Sequence, residues 1–197
     1  MKCFSIYILS FFLLVSTFSF AQDFVPKFEM NLQQTIKHYK IEKWEMWTVD
    51  FDGNPKYFFK NCDEDDYLCE KRYGFSYLDD KLESIDVSEN HWVKFKQFWN
   101  VLDKRVKFWK KQFGQLTFTK KALFDTSETP IPEKQFTTKT VEKCFESGET
   151  ISIRFKGKGM EISAVVFNNV VTSAYYIRTD YMTSLYREYL DKKENVK

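Results

Sequence analysis

The chain has 197 residues, with 30 Lys and Arg against 28 Asp and Glu, a formal net charge of +2 and 19% aromatic residues. A near-neutral balance without a recognised motif excludes the usual electrostatic footprint of a nucleic-acid binder. With two histidines, and with no His-Glu-x-x-His, no Gly-x-Ser-x-Gly and no phosphate-cradling glycine pattern, the sequence also excludes the common zinc-protease, serine-hydrolase and nucleotide sites.

The N-terminus reads as a processing signal. Lys2 precedes an apolar run over Phe4–Phe20, and Ser19-Phe20-Ala21 has the small-x-small pattern of a cleavage site. A signal peptide is therefore expected over 1–21, with cleavage near Ala21. An uncleaved anchor is the alternative, since a 17-residue run is at the low limit for spanning a membrane. The expected mature chain, 22–197, would be secreted or held in the cell envelope. Its 176 residues make one domain by length, large enough to bury about 70% of the unfolded surface.

Phe28, Leu32, Ile36 and Tyr39 follow Pro26 at helical spacing, so a first helix is expected over 26–40. From Trp44 the period changes to two, and Asp52-Gly53-Asn54-Pro55 turns the chain into a returning strand at Tyr57–Phe59. A second hairpin is expected from Phe75–Leu78 and Leu82–Val87 across Asp79-Asp80-Lys81. Next comes the clearest element, a helix over Ser88–Gly114. Trp92, Phe95, Trp99, Leu102, Val106, Trp109 and Phe113 recur at alternating steps of three and four, with Ser88 as N-cap and Gly114 as the C′ stop.

Leu116–Phe124 reads as a strand, and 125–135, with Pro130 and Pro132, as a loop. That loop could divide the domain into 22–124 and 136–197, but the sheet after it looks incomplete alone. Phe136–Phe145 is expected as a weak strand turned by Glu146-Ser147-Gly148-Glu149. Ile151, Ile153 and Phe155 alternate with Ser152, Arg154 and Lys156, the pattern of a sheet wet on one side. Gly157-Lys158-Gly159 and Asn168-Asn169 turn the chain through strands at 160–167 and 170–177. A closing helix, capped by Asp180, carries Met182, Leu185, Tyr186 and Tyr189. The expected fold is α+β: an antiparallel meander packed on a long central amphipathic helix, with flanking N- and C-terminal helices. A helix laid across such a meander is also the layout of cystatin-like and helix-grip folds, a likeness of arrangement that carries no function.

Chemistry is sparse. Cys62 and Cys69 are the natural disulfide in an oxidising compartment, closing a loop worth roughly 2.5 kcal/mol in the chain-entropy model. Cys62–Cys144 and Cys69–Cys144 stay open as alternatives, and Cys144 is otherwise the odd thiol. Asp63–Asp66 offers hard oxygen ligands but lacks the glycine and closing glutamate of a calcium loop, so no metal or cofactor is expected. Asp50 and Asp52 are a possible carboxylate pair, better read as turn chemistry. Cys144 with a distant histidine could make a nucleophile pair, as could any such combination. No catalytic residue is assigned.

The Lys-rich side of the long helix suits a membrane surface, and equally a core helix whose Lys stems cover apolar area. The mature chain keeps 31 aromatic residues. Some of those rings, Trp44 and Tyr175 above all, are candidates to stack on a sugar or apolar ligand, or else to cover a second sheet face. Charge is uneven: 22–87 carries 9 basic and 15 acidic residues, whereas 88–197 carries 20 and 13. The leading expectation is a non-enzymatic secreted or envelope protein that binds a protein, glycan or lipid. The alternatives are a hydrolase of envelope or glycan substrates and a membrane-surface binder using the long helix.

Overall fold

The computed structural model describes residues 25–51, 54–60, 71–122, 127–157, 159–169 and 172–194. The expected signal peptide, the Cys62–Cys69 pair, the Asp63–Asp66 loop and Asp52 lie outside the described residues. In chain order the elements are α1 (Leu32–Tyr39), β1 (Glu45–Phe51), β2 (Asn54–Lys60), β3 (Lys71–Leu78), β4 (Lys81–His91) and α2 (Phe95–Gln112). They continue with β5 (Thr117–Ala122), β6 (Thr129–Pro130), a 3₁₀ turn at Glu133–Gln135, α3 (Thr138–Glu146), β7 (Glu149–Gly157), β8 (Met160–Asn169), β9 (Ala174–Thr183) and α4 (Ser184–Glu194). The class is α+β. All nine described strands join one antiparallel sheet in the order β1-β2-β3-β4-β9-β8-β7-β5-β6.

Side-chain alternation divides the sheet into two unlike faces. One carries Phe59, Tyr73, Phe75, Ile85, Val87, Ile153, Ile162, Ala164, Ile177 and Tyr181, all buried. Three helices pack there. Tyr39 of α1 stacks on Phe75 at 5.5 Å between ring centroids. From α2, Phe98 stacks on Tyr175 at 4.6 Å, and Trp109 Nε1 donates to the Tyr181 hydroxyl at 3.1 Å. Phe145 of α3 meets Tyr175 at 5.7 Å. The fourth helix, α4, meets the margin of the other face, where Arg187 lies 4.0 Å from Glu161.

Several elements differ from the sequence expectation, each for a local reason. The first helix starts at Leu32, six residues late, because Asn31 and Gln34 form a capping box. The segment before it pairs with β4 instead: Glu29 N–H donates to Leu82 C=O and Leu82 N–H to Met30 C=O. The long helix starts at Phe95, not Ser88. Residues 88–91 extend β4: all four pair with β9, and Ser88 and Glu89 also with β3, and those ladders outweigh a periodic stripe. Trp92 is left 39% exposed outside the helix. Gly114, with φ of 122°, ends the helix as expected.

Residues 138–146 are a helix, not a strand. Thr137 caps it by accepting from Thr140 N–H. Val141, Cys144 and Phe145 are buried at the i, i+3, i+4 spacing of one face. Gly148, with φ of 67°, is the helix stop rather than a hairpin turn. The threonines of this stretch favour strands, and packing overrode them. Asp180 does not cap the last helix. It lies inside β9, and Thr183 Oγ1 accepts from Tyr186 N–H instead. Asp79 and Asp80 make the second hairpin turn with φ of 49° and 62°, as a type I′ turn requires.

Candidate functional site

The second sheet face is polar where the first is apolar. Reading across the strands, one row runs Trp47, Phe58, Gly74, Asp86, Asp180, Ser163, Arg154. The next row runs Glu45, Lys60, Arg72, Ser88, Arg178, Val165, Ser152. Strands are about 4.8 Å apart, so each row sets its side chains at that interval.

At the β1–β2 end, Trp47 stacks on Phe58 with centroids 5.2 Å apart and planes 15° from parallel. Cations surround this plate: Lys60 Nζ lies 5.8 Å from the Trp47 ring, Lys56 Nζ 5.2 Å and Arg72 Cζ 5.7 Å from the Phe58 ring. The arrangement depends on Gly74. A Cβ there would stand 2.8 Å from Lys56 Cε and 3.0 Å from Phe58 Cε1. Both side chains therefore cross β3 over the glycine, and Lys56 reaches Asp86 at 3.7 Å.

At the centre, Asp86 and Asp180 stand directly opposite on β4 and β9. Like charges in that relation repel, and three features accommodate them. Arg178 donates to Asp86 at 2.5 Å and lies 3.8 Å from Asp180. Ser88 Oγ donates to Asp86 at 3.2 Å. Lys56 Nζ adds a second cation 3.7 Å from Asp86. Asp86 is 2% exposed. Its burial favours the neutral acid, but Arg178 and Lys56 outweigh that and hold it below the usual carboxylate range. For Asp180, burial and the neighbouring Asp86 charge push the carboxyl up to about 7 against the pull of Arg178. Of the two carboxyls, Asp180 is therefore the one that takes up a proton first as pH falls.

A second charged cluster lies on the helix-covered face. Arg105 of α2 pairs with Glu89 of β4, with Lys71 at 3.3 Å and His91 Nε2 at 3.7 Å from the same carboxylate. Burial would raise the Glu89 carboxyl, but Arg105, His91 and Lys71 drive it well below the usual range. This group ties helix to sheet. His91 is thus buried in a strand, in contact with Phe98, and not in a first helical turn.

The residues singled out from sequence fall elsewhere. Trp44 is half-buried and stacks on Tyr73 at 5.4 Å, and Tyr175 packs among Phe95, Phe98 and Phe145. Both lean on the core from the helix-covered side. Cys144 is a buried free thiol that burial and Glu149 push up to about 11, so it is held un-ionised. Asp50 is an exposed strand residue opposite Pro55. A depression of about 730 Å³ beside α1 is lined by solvent-facing groups such as Lys27, Glu29 and Lys37. Among the described residues no cluster of His, Cys, Asp and Glu could hold a metal ion, and no helix is long and apolar enough to cross a membrane.

The polar row is not legible in the sequence because its members come from seven strands and share no sequence motif. The available signal is the alternation itself: Ser84-x-Asp86-x-Ser88 has polar residues two apart, and Lys56-x-Phe58-x-Lys60 sets two lysines either side of a ring. No protein-family model, curated protein or solved structure matches the chain.

Proposed function

We propose that the mature chain, 22–197, is a non-enzymatic binding protein of the cell envelope or exterior that holds its ligand on the polar sheet face. In this reading 1–21 is a cleaved leader, Cys62–Cys69 is a disulfide, and α2 is the central spine against which the meander packs. The observation that carries it is the flat Trp47–Phe58 plate, ringed by Lys56, Lys60 and Arg72 and continued by Arg178 and the Asp86–Asp180 pair. Rings with cations and hydrogen-bonding groups beside them give contact area and orientation together. The buried stripe Phe98, Leu102, Val106 and Trp109 argues against a membrane-surface role for the long helix, since those side chains are committed to the core.

The test is a glycan and metabolite binding screen on purified mature protein, run beside a broad hydrolase panel. Saturable binding, weakened tenfold or more by Trp47→Ala, is the expected result. Turnover of a substrate, abolished by one point substitution, would overturn the non-enzymatic reading.

A further inference from the structure

We infer that the ligand of this face is an anionic saccharide of the polyuronate type, laid across the strands with a sugar ring on Trp47 and its carboxylates against Lys60, Arg72 and Arg178. This inference rests on the binding function proposed above and adds the chemical class of the ligand.

Three features of the face select that class. The first is the plate. A pyranose ring presents an apolar C–H face, and Trp47, backed by Phe58 at 5.2 Å, offers a rigid aromatic surface of matching kind. The second is the cation row. Lys60, Arg72 and Arg178 lie in one register line on β2, β3 and β9. At about 4.8 Å per strand they stand roughly 5 and 10 Å apart, so a polymer with recurrent carboxylates crossing the strands meets them in turn. Lys60, 16% exposed, now pairs at 3.4 Å with Glu45, which at 53% exposed can swing away and leave the ammonium to a ligand carboxylate. Arg178 is 51% exposed, and with Nη2 donating to Asp86 its other N–H groups remain to meet a second carboxylate.

The third feature is the Asp86–Asp180 pair between the cations. Carboxyl oxygens flanked by Ser88 and Ser163 suit a ligand rich in hydroxyl donors. A saccharide carries such hydroxyls between its carboxylates, whereas single-stranded DNA carries almost none. Asp180 is faced by Asp86 on β4, Arg178 on its own strand, Lys56 on β2 and Ser163 on β8. Farther along β8, Glu161 is engaged by Lys156 and Arg187. Because the Asp180 proton leaves as pH rises through about 7, an anion beside it is held more tightly below that pH than above it.

The experiment is calorimetric titration of the mature protein with an oligogalacturonate, in parallel with a neutral cello-oligosaccharide and a single-stranded DNA oligonucleotide, at pH 6 and pH 8. Expected is binding of the oligogalacturonate at least tenfold tighter than either control, and several-fold weaker at pH 8. Lys60→Gln, which removes the charge and keeps most of the length of a half-buried side chain and which circular dichroism should find folded, weakens it at least tenfold. Asp180→Asn should keep binding and lose most of the pH dependence. Equal or tighter binding of the neutral sugar, still sensitive to Trp47→Ala, overturns the anionic class and leaves the binding function standing. Tighter binding of DNA overturns the saccharide. Failure of all three probes overturns the inference, and the binding function then stands or falls on the broader screen.

Discussion

Asp180 is a residue whose neighbours change its chemistry. Its carboxyl is raised, so the folded state binds a proton that the unfolded chain releases near the ordinary value of about 3.9. Stability should therefore fall as pH rises from about 4 to about 7 and level off above that. The side chain is one-third exposed, so solvent screening limits the effect to the order of 1 kcal/mol. Asp180→Asn should flatten that slope and be more stable than the wild type at pH 8, as read by urea unfolding at a series of pH values. Glu89 has the opposite sign. Its folded carboxyl is depressed, so its contribution is present above the ordinary carboxylate range and lost as pH falls through the folded value. Arg105→Ala leaves Glu89 buried with only Lys71 and His91 nearby, and should cost about 3–5 kcal/mol. Replacing both partners by apolar residues of similar size should cost far less, which a double-mutant cycle would show.

Among the elements, β3 holds the glycine on which the polar face depends. Gly74→Ala would press a methyl group against the Lys56 stem, which can swing away, and against the Phe58 ring, which Trp47 stacks on and cannot. The variant should lose about 1–2 kcal/mol and should also disturb the plate, visible as altered tryptophan fluorescence and weakened ligand binding. At α1 the capping box is the start signal, so Asn31→Ala should cost about 1 kcal/mol. At α3, Gly148 sits at a φ of 67° with open space around the missing Cβ. Its substitution by Ala should cost about 1–2 kcal/mol through backbone strain alone, measurable as a lowered melting temperature.

For the whole molecule, the seam between β4 and β9 joins the acidic first part of the chain to the basic second part. Asp86 and Arg178, 92 positions apart, form an ion pair across it. The seam lies mid-sheet, with strands on both sides of β4 and β9, whereas β1 and the two-residue β6 are its edges. Hydrogen exchange should be slowest for backbone amides of β4, β8 and β9 and fastest for β1, because edge strands open without breaking the rest of the ladder. Uniform protection from edge to centre would contradict that order.

Periodicity within short windows was legible without the fold. The strand alternation at Ile151–Phe155, the i, i+4, i+7 stripe through Leu102, Val106 and Trp109, the aspartate turn at 79–80 and the glycine stop at 114 are all local, and each appears where spacing and backbone chemistry put it. Where local signals competed, tertiary packing decided. Ser88–His91 could have begun a helix, yet hydrogen bonds to β3 and β9 made it a strand. Residues 138–146 could have been a strand, yet three buried side chains on one face made them a helix. The candidate site belongs wholly to this second kind. Asp86 faces Asp180, and Phe58 covers Gly74, through strand register. Register is set by the buried face and the turns of the folded sheet, not by any spacing along the chain.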